Sequence, residues 1–221
     1  MFGLLSSQFS YNDKIRPFIA LAPIAFVSRS TTIWTLFSKY PVYDQFLLWI
    51  GGPVIDRVSV LFDQICELTL IGCSLCQSAY KLINTSPPLA PPLECHRMSV
   101  WHQSASTAYK NMVQWSQMHR SGRFCRFDHG KRINQQVYGQ VAPPDYDVTK
   151  ITNKHIAFLW AVNDAYTNAT DVSKLATILK DNLILNHQIN DVNFGHLDFL
   201  WSSNCGKLVN RIVLDVLEQY N

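Results

Sequence analysis

Residues 155–201 read HIAFLWAVNDAYTNATDVSKLATILKDNLILNHQINDVNFGHLDFLW, and the pattern of this stretch decides the fold. Two short apolar runs, HIAFLWA and LILNHQI, each lead into a polar turn, which is typical of buried strands. Between the runs, residues 171–182 place apolar side chains on one helical face, namely Val172, Leu175, Ala176 and Leu179. The order strand, helix, strand predicts an α/β fold with two parallel strands joined by a right-handed crossover.

Each predicted strand is followed by a side chain that can take part in acid–base chemistry. Asp164 follows the first strand and His196 follows the second about thirty residues later, the order of acid and base in the Ser-Asp-His triads of α/β-hydrolases. Side chains beyond the carboxyl ends of parallel strands meet at one edge of the sheet, where such folds build their sites. The alternative is that both residues have structural roles: Asp164 forms a turn or caps a helix, and His196 takes no part in catalysis.

Short motifs around these two residues are more specific than their spacing. Asn163-Asp164 is followed by Asp171-Val172, and His196 lies in GHLDFLW at residues 195–201. These segments resemble the G-x-x-D…D-V and H-L-D-F-[IL]-W segments that hold the triad acid and base in the acid lipase family of gastric and lysosomal lipases. Further similar segments occur upstream in the family's order, at residues 18–25, 102–112, 115–117, 121–124, 138–140 and 143–146. The resemblance covers nearly the whole chain and is weakest between residues 30 and 94.

The resemblance implies the C-terminal part of an α/β-hydrolase parallel sheet with an inserted, mainly helical cap or lid. It divides the chain into core residues 1–29, a cap or lid at 30–139, and core residues 140–221 with the triad acid and histidine. It also implies a carboxylic ester hydrolase that forms an acyl-enzyme at a lipid–water interface. The substrate would be a lipid ester of the triacylglycerol or cholesteryl ester class, and we expect no cofactor and no metal.

Carried over from the family, each site residue has a definite role. His196 takes the proton of the nucleophilic serine and returns it to the leaving alcohol, while Asp164 accepts a hydrogen bond from the other ring nitrogen. Asp198 is the competing acid. Because it lies only two residues from the histidine, it is badly placed to orient the ring, and we expect it to hold the turn instead.

The nucleophilic serine of the family, in a G-H-S-Q-G elbow between a strand and a helix, has no counterpart in this sequence. Residues 2–9 resemble the helix after that elbow, and residues 17–27 resemble the following strand. The nearest pattern is GCSLC at residues 72–76. It lacks the second glycine that the strained elbow needs and lies in a helical stretch, so Ser74 is a poor candidate. We therefore expect a fragment that begins after the elbow and is inactive alone.

Two departures from the family pattern leave room for an alternative of another class. The family's small residues before the acid are replaced in residues 160–163, and residues 103–106 lack its proline and glycine. The first change could displace Asp164, and the second could alter the contact of the cap with the core. The alternative is a non-catalytic truncated relative that binds lipid or a protein partner through the cap.

Composition excludes several other classes of protein. The chain is 48% hydrophobic and 16% charged, which is ordinary for a globular protein. A formal charge of +3 without a dense lysine and arginine run argues against nucleic-acid binding. Residues 54–83 are largely apolar but are interrupted by charged side chains, so we do not expect a transmembrane span there.

Two glycosylation sequons, at Asn84 and Asn168, have meaning only in the secretory pathway. The family is secreted or lysosomal, and we expect the same of the full-length protein. The first residues, MFGLL, show no basic segment followed by an apolar run and a cleavage site, so this chain as written lacks a signal peptide.

The six cysteines are Cys66, Cys73, Cys76, Cys95, Cys125 and Cys205. The C-x-x-C at residues 73–76 lacks a second pair at zinc-site spacing, and Cys95-His96 is its only nearby candidate partner. A metal site is therefore poorly supported. Since the family has a disulfide in its cap, the resemblance implies a bridge among Cys66, Cys73 and Cys76, with the pairing left open.

Two more helices follow from apolar periodicity. Residues 108–119 predict a helix with Ala108, Met112, Trp115 and His119 on one stripe, and residues 120–122 end it. Residues 206–219 predict a last helix that turns an apolar face to the sheet through Val209, Ile212, Val213, Val216 and Leu217. His129 falls in a turn-rich stretch, where a surface position is expected.

The expected truncation predicts low solubility when this chain is expressed alone. The strands of this part of the sheet, without earlier neighbours, leave a long apolar edge unpaired, and such edges promote aggregation. We expect little soluble protein, measured as the fraction that remains monomeric in size-exclusion chromatography. A soluble monomer with a sharp thermal unfolding transition would contradict this expectation.

Overall fold

The structure is a computed structural model that describes residues 1–51 and 107–220. The helices are α1 (Phe2–Ser7), α2 (Ile33–Ser38), α3 (Pro41–Gly51), α4 (Tyr109–Ser121), α5 (Lys131–Tyr138), α6 (Ala169–Ile178), α7 (Asp198–Trp201) and α8 (Arg211–Glu218). Short 3-10 turns occupy Phe9–Tyr11 and Val148–Lys150, and a π-helical turn, Gly206–Asn210, leads into α8. The strands are β1 (Phe18–Leu21), β2 (Ile156–Ala161) and β3 (Leu183–Ile189).

These strands form one parallel sheet in the order β1-β2-β3. β2 pairs with β1 from Ile156 opposite Phe18, and it pairs with β3 up to Ala161 opposite Ile189. The two strands and the helix expected in residues 155–201 are therefore present as β2, α6 and β3, and the α/β class is confirmed. The helices α2 to α5 lie between β1 and β2 along the chain.

The central strand β2 is buried along its whole length. On one face, Ile156, Phe158 and Trp160 pack into a core cluster that includes Phe2 of α1 and Leu175 of α6. On the other face, alternate residues of β2 pack against the segment that follows β3. That second cluster contains Leu159, Ala161, Phe194, Phe199 and Val209. A strand covered on both faces must be apolar throughout, which explains the uninterrupted run IAFLWA.

Helix α6 begins two residues before the expected start at Asp171. Asn168 is its N-cap residue, and its side-chain oxygen accepts a hydrogen bond from Thr170 N at 2.9 Å. Such a cap satisfies one of the free amides of the first turn. The predicted apolar face is confirmed, because Val172, Leu175, Ala176 and Leu179 are all buried in the core.

The strand expected at residues 17–27 is shorter than predicted. β1 ends at Leu21, and Ala22 has a positive φ of 51°, a conformation that a strand cannot contain. Ala22 still donates a last hydrogen bond to Leu159 O at 2.8 Å. Pro23, which follows, has no N–H with which to extend the ladder. The apolar residues beyond Leu21 therefore continue as an irregular segment.

Helix α4 packs through a different stripe from the predicted one. Its most buried side chains are Tyr109, Val113 and Ser116, because Tyr109 and Val113 form a cluster with Leu47 of α3. Contact with α3 thus buries a stripe that lies one residue further along the helix than the predicted one. The end of the helix was predicted correctly, since Gly122 adopts the left-handed conformation with φ of 66°.

The last helix agrees with the prediction except at one end. Val209 is fully buried, Val216 is 5% exposed, and Ile212 and Val213 pack partly buried against the second core cluster. Leu217, which was expected on the same face, is 38% exposed. Leu217 lies one residue before the end of α8 at Glu218.

Asn12 joins the first segment of the chain to the loop before β2. The side chain is buried, and its amide nitrogen donates to Leu5 O at 2.9 Å and to Phe9 O at 3.1 Å. The side-chain oxygen accepts from Thr152 N and Asn153 N, both at 3.1 Å. Each of these four hydrogen bonds joins the Asn12 side chain to a backbone group. The amino ends of the strands therefore have a fixed arrangement.

Replacing Asn12 should destabilise this end of the sheet strongly. In Asn12→Ala, two backbone amides and the Leu5 carbonyl lose the Asn12 side chain as a partner, and we expect a loss of about 3 kcal/mol in the free energy of unfolding. Urea unfolding followed by tryptophan fluorescence measures the change. Asn111→Ala, at an exposed position of α4, is the control and should change the free energy by less than about 0.5 kcal/mol. Equal effects of the two substitutions would contradict the role of Asn12.

Candidate active site

Asp164 lies in the turn directly after β2, at the carboxyl edge of the sheet. Its side chain is 0% exposed. One carboxylate oxygen, Oδ1, accepts from Tyr166 N at 2.8 Å and from Thr167 N at 3.0 Å. The backbone of the turn thus folds around the carboxylate, which leaves the second oxygen available for another partner.

His196 supplies that partner from the loop between β3 and α7. Its Nδ1 lies 2.8 Å from Asp164 Oδ2, so a proton on Nδ1 is donated to the carboxylate. The ring of Tyr166 lies against the imidazole, with 4.6 Å between ring centroids and 31° between planes. The His196 side chain is 25% exposed. The acid and the base predicted from the sequence are therefore adjacent, although 32 residues separate them.

The electrostatic balance of Asp164 favours the charged carboxylate. Burial raises its pKa, but the hydrogen bond from His196, the charge of His196 and the hydrogen bonds of Thr167 together outweigh burial. The pKa of Asp164 is consequently held below its ordinary value. A carboxylate that stays ionised can fix the imidazole in one tautomer and stabilise the imidazolium when the ring takes a proton.

Asp198 holds the turn that carries His196. Its Oδ2 accepts a hydrogen bond from Gly195 N at 2.7 Å, and the residue is 4% exposed. It also begins α7. Asp164 thus contacts the imidazole ring of His196, and Asp198 contacts the backbone beside it.

A serine–histidine pair joins helices α2 and α4. Ser38 Oγ lies 3.0 Å from His119 Nδ1 and donates to Thr35 O at 3.0 Å. Burial lowers the pKa of His119, although a hydrogen bond to the Ser30 carbonyl opposes this effect. Ser38 is 0% exposed. An ester cannot reach a hydroxyl without any exposed surface, so this pair connects α2 to α4 and does not form a reaction centre.

An apolar pocket of about 310 Å³ is lined in part by Tyr166, whose ring contacts His196. The segment after β1, the helices α2, α3 and α4 and the loop after β2 contribute its walls, which include Ile24, Trp34, Tyr43, Met112, Trp115 and Tyr166. Helix α2 contributes Trp34 to this wall, and α3 contributes Tyr43. Several other apolar side chains of these two helices are exposed, among them Leu36, Phe37, Phe46, Leu48 and Trp49.

Tyr166 is a site residue that sequence reasoning missed. Burial raises its pKa, a hydrogen bond from Trp34 acts in the opposite direction, and the charge of Asp164 raises it again. The only signal in the sequence was its position two residues after the predicted acid. Nothing in a turn sequence indicates that an aromatic side chain will fold back onto a histidine from another loop.

The structure describes some of the remaining candidate site residues and cysteines. His129 packs between Phe127 and Tyr138, with ring centroids 4.8 Å and 5.8 Å away. Cys125 and Cys205 are buried free thiols, and burial raises the pKa of each. Outside the described residues lie Cys66, Cys73, Cys76, Cys95, Ser74 and Asn84.

Within residues 1–51 and 107–220, no group of three or more histidine, cysteine and acidic side chains is arranged to hold a metal ion. A separate property concerns membranes. Over the part of the chain that the structure describes, every helix is too short or too polar to cross a bilayer.

The parallel sheet, with the buried Asp164–His196 pair at its carboxyl edge, defines an α/β protein. The known proteins that this chain resembles are lipases. Lipase lipl-5 of Caenorhabditis elegans is 30% identical over 91% of this chain and 52% of its own length. Human gastric triacylglycerol lipase is 30% identical over 99% of this chain and 54% of its own length. Lipase lipl-1 of Caenorhabditis elegans is 26% identical over 98% of this chain and 55% of its own length.

No protein-family model matches the chain. The chain spans about half the length of the curated relatives it matches. These relatives are lipases, and their similarity extends over nearly all of the present chain. The resemblance to the acid lipases is thereby confirmed.

The ionised state of Asp164 makes its contribution to stability depend on pH. Because its pKa in the folded state is depressed, the stabilisation is present above the ordinary carboxyl pKa of about 3.9 and is lost as pH falls through the lower folded value. Asp164→Asn keeps an acceptor for the two amides but loses the charge. We expect the wild type to exceed this variant by about 2 kcal/mol at pH 7, and the difference to shrink below about pH 4.

Urea unfolding at a series of pH values measures this difference. Asp215→Asn, at an exposed position of α8, is the matched control and should show a small difference at every pH. A gap between wild type and Asp164→Asn that stays constant down to pH 3 would contradict the assignment.

Proposed function

We propose that this chain provides the acid and the base of a carboxylic ester hydrolase that acts on lipids. The observation that carries the proposal is the 2.8 Å contact between His196 Nδ1 and Asp164 Oδ2, made by a carboxylate whose side chain has no exposed surface. Both oxygens of Asp164 have partners, so the imidazole is held on one side by a fixed acceptor. The similarity to lipases supports the reaction class.

The reaction follows the acyl-enzyme sequence. A serine hydroxyl attacks the ester carbonyl carbon while His196 Nε2 takes its proton, and Asp164 stabilises the imidazolium. The imidazolium then gives this proton to the alcohol oxygen as the carbon–oxygen bond breaks. Water repeats the same steps on the acyl-enzyme, which releases the fatty acid and restores the serine. No G-x-S-x-G elbow occurs in the sequence, so the proposal takes the nucleophile from sequence beyond these residues and expects this chain to be inactive alone.

The substrate that we propose is a lipid ester of the triacylglycerol or cholesteryl ester class. The apolar pocket supports an acyl chain, because its walls are largely aromatic and aliphatic and it adjoins the acid–base pair through Tyr166. Burial of an acyl chain in such a pocket supplies about 0.8 kcal/mol per methylene group. The alcohol part of the ester would remain on the side of the exposed imidazole edge.

We propose a secreted or lysosomal location for the full-length protein, as a glycoprotein. Similarity to gastric triacylglycerol lipases of cattle and humans supports a secretory origin. The sequon at Asn168 is compatible with it, because this side chain is partly exposed at the start of α6 and uses only its oxygen in the cap. Its amide nitrogen, the atom that a glycan would modify, makes no hydrogen bond with the described residues.

A second proposal is a non-catalytic relative that binds lipid or a protein partner. The same apolar pocket supports lipid binding without any chemistry, and the missing elbow motif removes the group that starts the reaction. The two proposals differ in what the transcript encodes. Reading its 5′ end through the codons before Met1 shows whether a glycine-flanked serine is present in frame.

In a product that contains such a serine, removal of the base should abolish hydrolysis. We expect His196→Ala to reduce turnover of a p-nitrophenyl fatty ester by a factor of about 10⁴ to 10⁶, because the serine loses the group that takes its proton. The assay is release of p-nitrophenol under saturating ester.

The matched control is His155→Ala, which removes a histidine at the opposite end of β2. His155 packs on Tyr220, far along the strand from Asp164, so this variant should keep most of the activity. Equal activity of His196→Ala and wild type would exclude the hydrolase proposal. A transcript that starts at Met1 and a product without turnover would leave lipid binding as the function.

A further inference from the structure

Tyr166 contacts three parts of the site at once. Its backbone N–H donates to Asp164 Oδ1 at 2.8 Å, and its ring lies against the His196 imidazole at 4.6 Å between centroids. The same side chain lines the apolar pocket. A single residue therefore touches the acid, the base and the cavity that adjoins them.

The contact with His196 restricts a motion that Asp164 alone leaves free. The hydrogen bond to Asp164 fixes the position of Nδ1, but a ring held by one atom can still tilt about that bond. A neighbouring ring tilted by only 31° covers one face of the imidazole and limits this tilt. The direction of Nε2, the nitrogen that exchanges protons in the reaction, depends on that tilt.

The contact with the pocket is made by an anchored side chain. Tyr166 is partly buried, and Trp34 lines the same pocket. An occupant of the pocket therefore meets a ring that cannot swing away without losing its contact with His196. Occupancy of the pocket and the tilt of the imidazole are mechanically linked through this ring.

We propose that Tyr166 is a positioning and specificity-determining residue: it holds the His196 imidazole and forms the wall by which the pocket selects an acyl chain. Only the expected effect on turnover rests on the proposed hydrolase function. The structural part of the inference, the link between pocket and imidazole, does not require turnover. The chemical class of ligand is a fatty acyl chain.

The first experiment measures the imidazole directly and needs no catalysis. In protein made from the full transcript and labelled with ¹⁵N-histidine, NMR gives the rate at which the His196 Nδ1 proton exchanges with water. We expect Tyr166→Leu to raise this rate roughly 3- to 10-fold, the effect of losing one aromatic pair. Tyr166→Phe retains the ring and should stay within about twofold of wild type.

Tyr43→Leu is the matched control. Tyr43 also lines the pocket, but its ring stacks on Phe37 and not on His196. This variant should enlarge the pocket without changing the exchange rate of His196. With p-nitrophenyl esters of increasing chain length, both leucine variants should shift the preferred length, whereas only Tyr166→Leu should also lower kcat.

The outcomes separate the inference from the proposed function. Faster exchange in Tyr166→Leu alone supports the inference even if no ester is hydrolysed, in which case only the hydrolase proposal fails. An unchanged exchange rate in Tyr166→Leu, or an equal rise in Tyr43→Leu, overturns the inference even if esters are hydrolysed.

A measurement on the wild type covers the case in which Tyr166→Leu does not fold. Titration with dodecanoate should shift the His196 ring resonances and leave those of His155, at the other end of β2, unchanged. Failure of dodecanoate to shift His196, or equal shifts at both histidines, overturns the link between pocket and imidazole.

Discussion

The carboxylate of Asp164 is withdrawn from water, and this single fact constrains everything near it. An ionised carboxylate without solvent must find hydrogen bonds in the protein, since an uncompensated buried charge is very costly. The turn after β2 supplies two amides, and the loop after β3 supplies the imidazole. Both loops are placed by strands that pair side by side, so the site depends on the register between β2 and β3.

That register is protected by the burial of β2. Because β2 is covered on both faces, a shift by one residue would send each side chain to the opposite core cluster. The large Phe158 would then have to fit where Leu159 packs. The core therefore fixes the height at which Asp164 leaves the sheet. Packing far from the reaction centre thereby determines whether the acid and the base meet.

Much of this arrangement could be predicted from the sequence. The strands β2 and β3, the helix α6 and the pairing of Asp164 with His196 follow from local patterns, because each depends on residues close together in the chain or on the parallel topology. The shorter β1 and the different stripe of α4 could not be predicted. The first depends on the backbone at Ala22 and the second on contact with Leu47, which is distant in sequence. Tyr166 was missed for the same reason, since its role comes from a contact between two loops.

Two acidic side chains hold the turn around His196 through different contacts. Asp164 binds the ring, and Asp198 binds the backbone amide of Gly195 immediately before it. In genetic terms, the two positions are not independent. Loss of Asp198 would let the loop drift, and an Asp164 left in place would then face an imidazole that is no longer within reach. Substitutions at these two acids should therefore show epistasis: once either is lost, the second substitution has little left to remove.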